Sequence, residues 1–421
     1  MKKKGNMIYV GFFFVLCLIP CVGMLLPQTQ GSATENRKLA IWPQLRTEEG
    51  WNTDFLSEAG EYFQDHFGFR QQLVTANALI NGKIFGVSTA DGVIQGKNGW
   101  LYYKDSLSDY LGTEPMSERA LFNVAHTLSM MQDYTEKSGA KFLFTIAPNK
   151  NTLYGENMPY YDSMIVSEDK NMDRIEAYLE KENVNYVNLK EILESSDEVL
   201  YHERDSHWNN KGAALAGDAL MTALDKEHTD YTQESYEECV DFTGDLDEML
   251  YPLALTEEKE IYYDKADVFA YVGEVESNFD PKITTVNPGS TGSLVMYRDS
   301  FGNAILPFFA NSYANAYFSR GIPYQMTDLA EHQADTVIVE RAERFLPEMA
   351  ENPPQMEAPQ LTVGAVMEPE MEENARGTVT AEVQGDLVKV SGLVDEAILD
   401  TDSRIAIRRN GGDSFEAFPL T

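Results

Sequence analysis

Two short segments, far apart in the chain, carry the residue types of an acyl-transfer site. Asp205-Ser206-His207-Trp208 puts a carboxylate and an imidazole two residues apart, just ahead of a helical stretch, and Tyr297-Arg298-Asp299-Ser300-Phe301 puts a serine after an apolar run. A carboxylate that accepts from one imidazole nitrogen leaves the other to take a proton from a serine hydroxyl, as nucleophilic catalysis requires. Each segment also has a plainer reading. Asp299 and Ser300 both suit a helix N-cap, and His207 suits a hydrogen-bonded helix entry. His202, Glu203, Asp205 and His207 form a short ligand-capable cluster, although neither a cysteine nor a second, distant histidine pair completes a metal set.

The elements that must position these residues follow from periodicity. Apolar residues at helical spacing over 51–83, among them Phe55, Phe63 and Phe67, predict one or two helices. Residues 92–103 predict a β-hairpin turning at Asn98-Gly99. A helix capped by Ser117 and stopped by Gly139 leads to a buried strand over 141–147. The helix-then-strand step recurs as 171–182 and 186–189, as 210–224 and 293–297, as 303–310 and 314–319, and as 327–332 and 336–339. This alternation predicts an α/β fold with a parallel sheet and helices on both faces. Ser300 then lies at the carboxyl end of a strand, where functional residues collect, and beside helix-start N–H groups able to stabilise an oxyanion. An acidic, tyrosine-rich insertion over 227–288 separates the two chemical segments and is a candidate rim of the site. From residue 351 a Pro- and Glu-rich linker leads to alternating runs at 377–383, 387–394, 403–409 and 415–420, read as a small all-β, sandwich-like module.

A chain of 421 residues with 43% hydrophobic residues can bury a sizeable core. A formal net charge of -35 repels phosphate backbones and excludes nucleic acid as a main partner. Lys2-Lys3-Lys4 precedes an uncharged apolar run over 7–26, which predicts a membrane-spanning signal anchor over 1–27, or a cleaved signal peptide, and export of the remainder. Cys17 and Cys21 fall inside that run and Cys239 stands alone outside it, so no disulfide framework is expected.

The order of motifs resembles the SGNH-hydrolase-like domain of the alginate O-acetylation proteins and the related DHHW-motif proteins of bacteria. The matching pieces are Glu35-Asn36-Arg37, Asp65-His66-Phe67-Gly68-Phe69-Arg70, Gly96-Lys97-Asn98-Gly99-Trp100-Leu101-Tyr102, Pro148-Asn149-Lys150 with Tyr154, Asp205-Ser206-His207-Trp208, Asp299-Ser300-Phe301, and Glu340 with Glu343-Arg344. They run from about Glu35 to Leu346. The resemblance implies an SGNH-type fold over 28–350 with Ser300 as nucleophile, His207 as base and Asp205 as its orienting carboxylate, and with neither metal nor cofactor. It further implies an exported or membrane-anchored O-acetyltransferase of a polysaccharide acceptor, supplied with acetyl groups by a membrane-bound acyltransferase. Two departures stand out. Ser206 replaces the first histidine of the Asp-His-His-Trp form, and Arg298 stands where the Gly-Asp-Ser block has glycine. Asn149, Lys150 and Arg298 are the candidates for oxyanion or substrate contacts, whereas Lys97, Trp100 and Glu340 read as structural. An acetylesterase with the same triad and a non-catalytic glycan-binding scaffold are the alternatives.

Overall fold

The structure, a computed structural model, describes residues 40–361 except 48, 49 and 265, most of 379–420, and a few positions between 7 and 23. The expected anchor over 1–27 and the Glu35-Asn36-Arg37 motif fall largely or wholly outside the described residues. Among the described residues no helix is long and apolar enough to cross a membrane.

In chain order the elements used below are α1 (Phe55–His66), α2 (Arg70–Phe85), β1 (Val93–Gln95), β2 (Leu101–Tyr103), α3 (Glu118–Lys137), β3 (Lys141–Ala147), α4 (Asn171–Lys181), β4 (Tyr186–Val187), α5 (Leu189–Glu194), α6 (Asn210–Ala223), β5 (Tyr236–Phe242), α7 (Asp245–Leu250) and β6 (Glu258–Tyr263). They continue with β7 (Ala270–Tyr271), β8 (Lys282–Val286), β9 (Ser293–Tyr297), α8 (Gly302–Ser312), β10 (Asn315–Ser319), α9 (Asp328–Glu331), β11 (Thr336–Ala342), β12 (Gln360–Leu361), β13 (Val379–Gln384), β14 (Leu387–Gly392), β15 (Ile405–Arg408) and β16 (Ser414–Ala417).

The central sheet has the order β4-β3-β11-β9-β10-β8-β7. Its first five strands are parallel, as the alternation predicts. The last two come from the insertion and are joined by antiparallel pairings, β8 to β10 and β7 to β8, so the sheet is mixed at one edge. Both faces are covered, which is why the strands read as unbroken apolar runs. Leu143, Leu294, Met296 and Ile338 face one core with α5, α6 and α8. Their chain neighbours Phe142, Phe144, Val295, Tyr297, Val337 and Val339 face a second core with α3 and α4. This is the period of two that a pleated strand imposes.

Several boundaries differ from expectation for local reasons. The strand expected over 186–189 stops at Val187, because the Asn188 side chain accepts from Glu191 N–H and caps α5. The β1/β2 hairpin turns not on two residues but on a five-residue loop, closed by Gly96 N–H donating to Trp100 O at 2.8 Å, with Asn98 left-handed. The strand expected over 336–339 continues to Ala342 through buried Glu340 and Arg341. The helical region after residue 51 breaks at Phe69, which is also left-handed, into α1 and α2.

The insertion is built into the domain rather than laid on it. α7 packs Leu246, Leu250 and Tyr251 against Ala78 of α2 and against Val93 and Leu101 of the hairpin, a third apolar cluster. Among the described residues the C-terminal module has two small sheets, β12-β16-β15 and β13-β14. Its strand β16 is clasped to the main domain. His126 of α3 lies between Glu182 Oε2 and Glu416 Oε1, 2.7 Å from each, and Arg404 reaches Glu182 at 3.2 Å. All three members of the His126 bridge are buried. Removing one partner of a buried hydrogen-bonded bridge leaves a ring nitrogen of His126 unsatisfied, so Glu416→Ala is expected to cost about 2 kcal/mol in urea unfolding and to open β15 and β16 to protease. A loss below about 1 kcal/mol would mean that the clasp does not hold the module.

Candidate active site

The loop between α5 and α6 is a tight return. Tyr201 and Trp208 form an isolated antiparallel bridge, and Asn209 N–H donates to Leu200 O at 2.9 Å. Asn209 then caps α6 through Gly212 N–H. A side chain at Gly212 would meet Leu200 O at 2.4 Å, so the approach requires glycine. Within this return Asp205 Oδ1 accepts from His207 N–H at 2.8 Å and from His207 Nδ1 at 2.7 Å. Its Oδ2 accepts from Asp245 N–H at 2.8 Å.

The electrostatics follow from these contacts. Burial alone would raise the Asp205 carboxyl, but the His207 imidazole and the hydrogen bonds outweigh it and hold the group well below the usual carboxylate range. Burial alone would lower His207. Asp205 and then Asp245 outweigh it, with Arg344 acting against them, and the imidazole is raised above its ordinary value. Its Nε2 is buried and has no hydrogen-bond partner. Nδ1 is thus committed to the carboxylate and Nε2 is left for another group, the arrangement a general base requires.

Ser300 follows β9 and is half-buried. Its turn is built by Asp299, whose Oδ1 accepts from Phe301 N–H at 3.0 Å and whose Oδ2 accepts from Ala342 N–H at 2.7 Å. Asp299 N–H in turn donates to Glu340 Oε2 at 3.0 Å. Glu340 is wholly buried, and burial with the nearby Asp299 charge pushes it well above the usual range. The serine segment and the histidine loop meet through Phe301. Its ring packs edge-on against the His207 ring with centroids 4.9 Å apart, and its carbonyl accepts from Trp208 Nε1 at 3.1 Å. The fold therefore brings the Ser300 turn beside the Asp205–His207 pair. No hydrogen bond joins Ser300 to Nε2.

The other candidates are placed differently. Lys150 does not face a cleft: it is buried, and its Nζ donates to the carbonyls of His202, Glu203 and Asp205 at 3.1, 3.0 and 2.6 Å. Burial lowers it to about 8 against the opposing pull of nearby acids. Arg298 is buried as well, and its guanidinium turns away to the carbonyls of Asn278 and Asp280 and to Asn303. Both are supports rather than substrate contacts. Asn149 Nδ2 donates to Asp109 Oδ2 at 2.9 Å, and its Oδ1 accepts from Arg344 at 3.4 Å. Two of the helix-start amides expected to face an oxyanion are occupied, Phe301 N–H by Asp299 and Asn303 N–H by the Ser300 carbonyl.

Two residues at the site carried no assigned part in the sequence. The Arg344 guanidinium lies 5.4 Å over each of the Phe301 and Tyr103 rings. Asp245, from the insertion, joins Asp205 and His207 in a group whose candidate ligand atoms lie within 4.8 Å of one another. Arg344 stood in a matched motif, whereas nothing in the insertion marked Asp245. The residues of the rival metal reading do not gather: His202 turns to Glu260 at 3.0 Å and stacks on Phe242. In the Asp205, His207 and Asp245 group the carboxylate oxygens already accept from Asp245 N–H, from His207 and from both the N–H and hydroxyl of Ser206. Its donors are filled from within, which does not fit a metal.

With this geometry in hand, residues 93–272 match the model of the SGNH hydrolase-like domain of the acetyltransferase AlgX. A probable alginate O-acetylase AlgJ of Pseudomonas syringae pv. tomato is 24% identical over 178 residues, 41% of this chain and 43% of that protein. The resemblance to the SGNH hydrolase-like alginate O-acetylation family holds. The matched stretch contains Asp205, His207 and Asp245 and ends before Ser300. The match spans less than half the length of this curated relative. Among solved structures, the O-acetyltransferase domain of Pseudomonas putida AlgJ aligns with TM-score 0.41 and 16% identity over 61% of this chain and 92% of that one. A DHHW family protein from Eubacterium siraeum aligns with TM-score 0.43 and 17% identity over 53% and 85%. Bacillus cereus PatB1 aligns with TM-score 0.45 and 15% identity over 60% and 96%.

The supports around the matched segment should be visible in the pH dependence of stability. Glu343 is buried, accepts from Asn149 N–H and from the Thr152 hydroxyl, and is pushed up to about 7 by burial and then by Asp109. On unfolding it returns to its ordinary 4.5, so between those pH values the unfolded chain binds fewer protons and stability falls as pH rises. Glu343→Gln is expected to flatten that slope in urea midpoints measured from pH 4.5 to 7. An unchanged slope would place the carboxyl in an ordinary environment.

Proposed function

We propose that this chain is a serine-dependent O-acetyltransferase of a polysaccharide. The observation that carries the reading is the His207 imidazole, bonded through Nδ1 to Asp205, with a buried, unpartnered Nε2 beside the turn that bears Ser300. The family resemblance supports acetylation as the reaction. Export through the apolar segment over 7–26 would place the domain outside the cytoplasm, with an acetyl donor supplied by a membrane-bound acyltransferase.

The reaction follows from the site. Ser300 Oγ attacks the donor's acetyl carbonyl while His207 Nε2 takes the hydroxyl proton. The tetrahedral intermediate collapses, the donor oxygen leaves with that proton, and the acetyl group remains on Ser300. A sugar hydroxyl then attacks the acetyl-serine, giving its proton to Nε2, and Ser300 recovers it as the acetylated sugar departs. Asp205 holds the imidazole so that Nε2 faces this exchange and stabilises the imidazolium formed in each half. The Arg344 guanidinium, on the ring of Phe301, supplies positive charge beside the reacting centre.

The test is incubation of the exported part, from about Gln28, with an acetyl ester and oligosaccharides, read by mass spectrometry beside Ser300→Ala. Acetylated sugar in the wild type that disappears in the variant is expected. Free acetate alone would make the protein an esterase, and the absence of Ser300-dependent turnover would overturn the catalytic reading in favour of a glycan-binding scaffold. Because only neutral His207 accepts a proton and its pKa is raised, kcat/KM should fall with an acid limb above the ordinary imidazole value of 6.5. A limb below that value would remove His207 as the base.

A further inference from the structure

We propose that Asp245, carried by the insertion, is a positioning residue for His207. It acts through the hydroxyl of Ser206 as a second carboxylate behind the imidazole. The proposal rests on the reading of His207 as the base.

The geometry is specific. Ser206 Oγ donates to Asp245 Oδ2 at 2.6 Å and lies 3.2 Å from His207 Nδ1, while Ser206 N–H donates to Asp245 Oδ1 at 2.8 Å. Asp245 Oδ2 itself stands 3.8 Å from Nδ1. Since Ser206 gives its proton to Asp245, its oxygen is left to accept from the Nδ1 proton that also points at Asp205. The imidazole is thereby addressed by two carboxylates, one directly and one through a hydroxyl. Asp245 N–H closes the ring of bonds by donating to Asp205 Oδ2. The serine that replaces the first histidine of the Asp-His-His-Trp form is the link, so that substitution has a partner in the insertion.

The position of Asp245 is enforced from behind. α7 buries Leu246 and Leu250 between α2 and the β1/β2 hairpin. Asp247 on the same helix is wholly buried, pairs with Arg204 through Nε at 2.7 Å and accepts from Thr256 N–H. A side chain at Gly244 would lie 2.2 Å from Arg204 O, so glycine lets the two backbones touch at the point where Asp245 begins. Such packing fixes a side chain closely enough to orient a catalytic group.

The charges that reach this pair come from several elements. Asp205 raises Asp245, after burial, and the two together raise His207. Lys150 feels both carboxylates, Tyr103 of β2 and Glu248 of α7 feel Asp245, and Arg344 opposes the acids at His207. Asp245 is pushed up to about 6, so it carries its charge in the range where a neutral His207 works as a base.

The experiment is a histidine-labelled NMR titration of the full chain, with His207 assigned from His207→Gln, run on wild type, Asp245→Asn and Ser206→Ala beside the turnover assay. In Asp245→Asn the His207 imidazolium is expected to lose its proton at lower pH than in wild type. The acid limb of kcat/KM should move the same way, and kcat should drop on the order of 10-fold with KM nearly unchanged. An unmoved His207 titration in a folded Asp245→Asn protein would overturn the proposal and leave Asp245 a helix-start residue. Should that variant not fold, Ser206→Ala removes only the linking hydroxyl. The same acid-ward shift supports the link and no shift refutes it. A His207 titration that shifts in Asp245→Asn, when the wild type shows no Ser300-dependent turnover, would uphold the positioning and reject the acyl-transfer function.

Discussion

The site depends on one buried cation. Lys150 has three N–H donors and no acceptor, and it gives one to each of the carbonyls of His202, Glu203 and Asp205. Three carbonyls converging on one ammonium curl the loop, and the curl sets Asp205 against His207. A loop has few apolar side chains with which to hold itself, so its shape comes from such polar contacts. The cation also answers the charge that the loop gathers, since Asp205, Asp245, Glu258 and Glu203 all act to keep it protonated against burial. An ammonium buried without them would be expelled or neutralised. Lys150 reaches this point because β3 ends at Ala147 in the sheet, so the register of the parallel strands is transmitted to the imidazole.

Much of this was legible in the sequence, and the reasons for what was not are physical. The parallel sheet was readable because strands buried on both faces must be apolar throughout, and helices between them carry a different period. The candidates Asp205, His207 and Ser300 stood out because their types suit a reaction, and the fold brings the loops that carry them together beside that sheet. Lys150 and Arg298 were recognised as positions of interest, but their direction was not. A polar residue just after a strand looks the same in sequence whether it faces a cleft or turns inward to satisfy carbonyls. Burial decides this, and burial belongs to the assembled fold. The end of β11 was hidden for a related reason. Glu340 and Arg341 resemble a strand boundary, yet both lie in the interior, where Glu340 receives Asp299 N–H and so shapes the turn that carries Ser300.

The insertion shows the same limit on a larger scale. Its strands β7 and β8 pair at the edge of the central sheet, a contact set by backbone hydrogen bonds that side-chain patterns do not announce. Its helix α7 is too short to give a periodic signal, and its apolar partners, Ala78, Val93 and Leu101, lie far upstream. Long-range packing of this kind joins α2, the hairpin and the insertion into a brace behind the Asp205–His207 loop. The family-matched stretch from 93 to 272 includes the hairpin and α7 but not α2, so the brace is partly an addition to the matched segment.

The imidazole is the point where these supports meet, and the balance acting on it explains why so many are needed. Burial works against an imidazolium at His207, whereas Asp205 and Asp245 favour it and Arg344 opposes it. A base buried with a single carboxylate would lean on one contact for both orientation and charge. Here the same atoms are held by Lys150 through the backbone, by Asp245 through Ser206, and by Phe301 through its ring. Each of these contacts helps to fix the orientation of the imidazole, while its charge state depends on their sum. Substitutions around the loop should separate the two properties, because a change in charge at constant shape alters when His207 accepts a proton without altering where it stands.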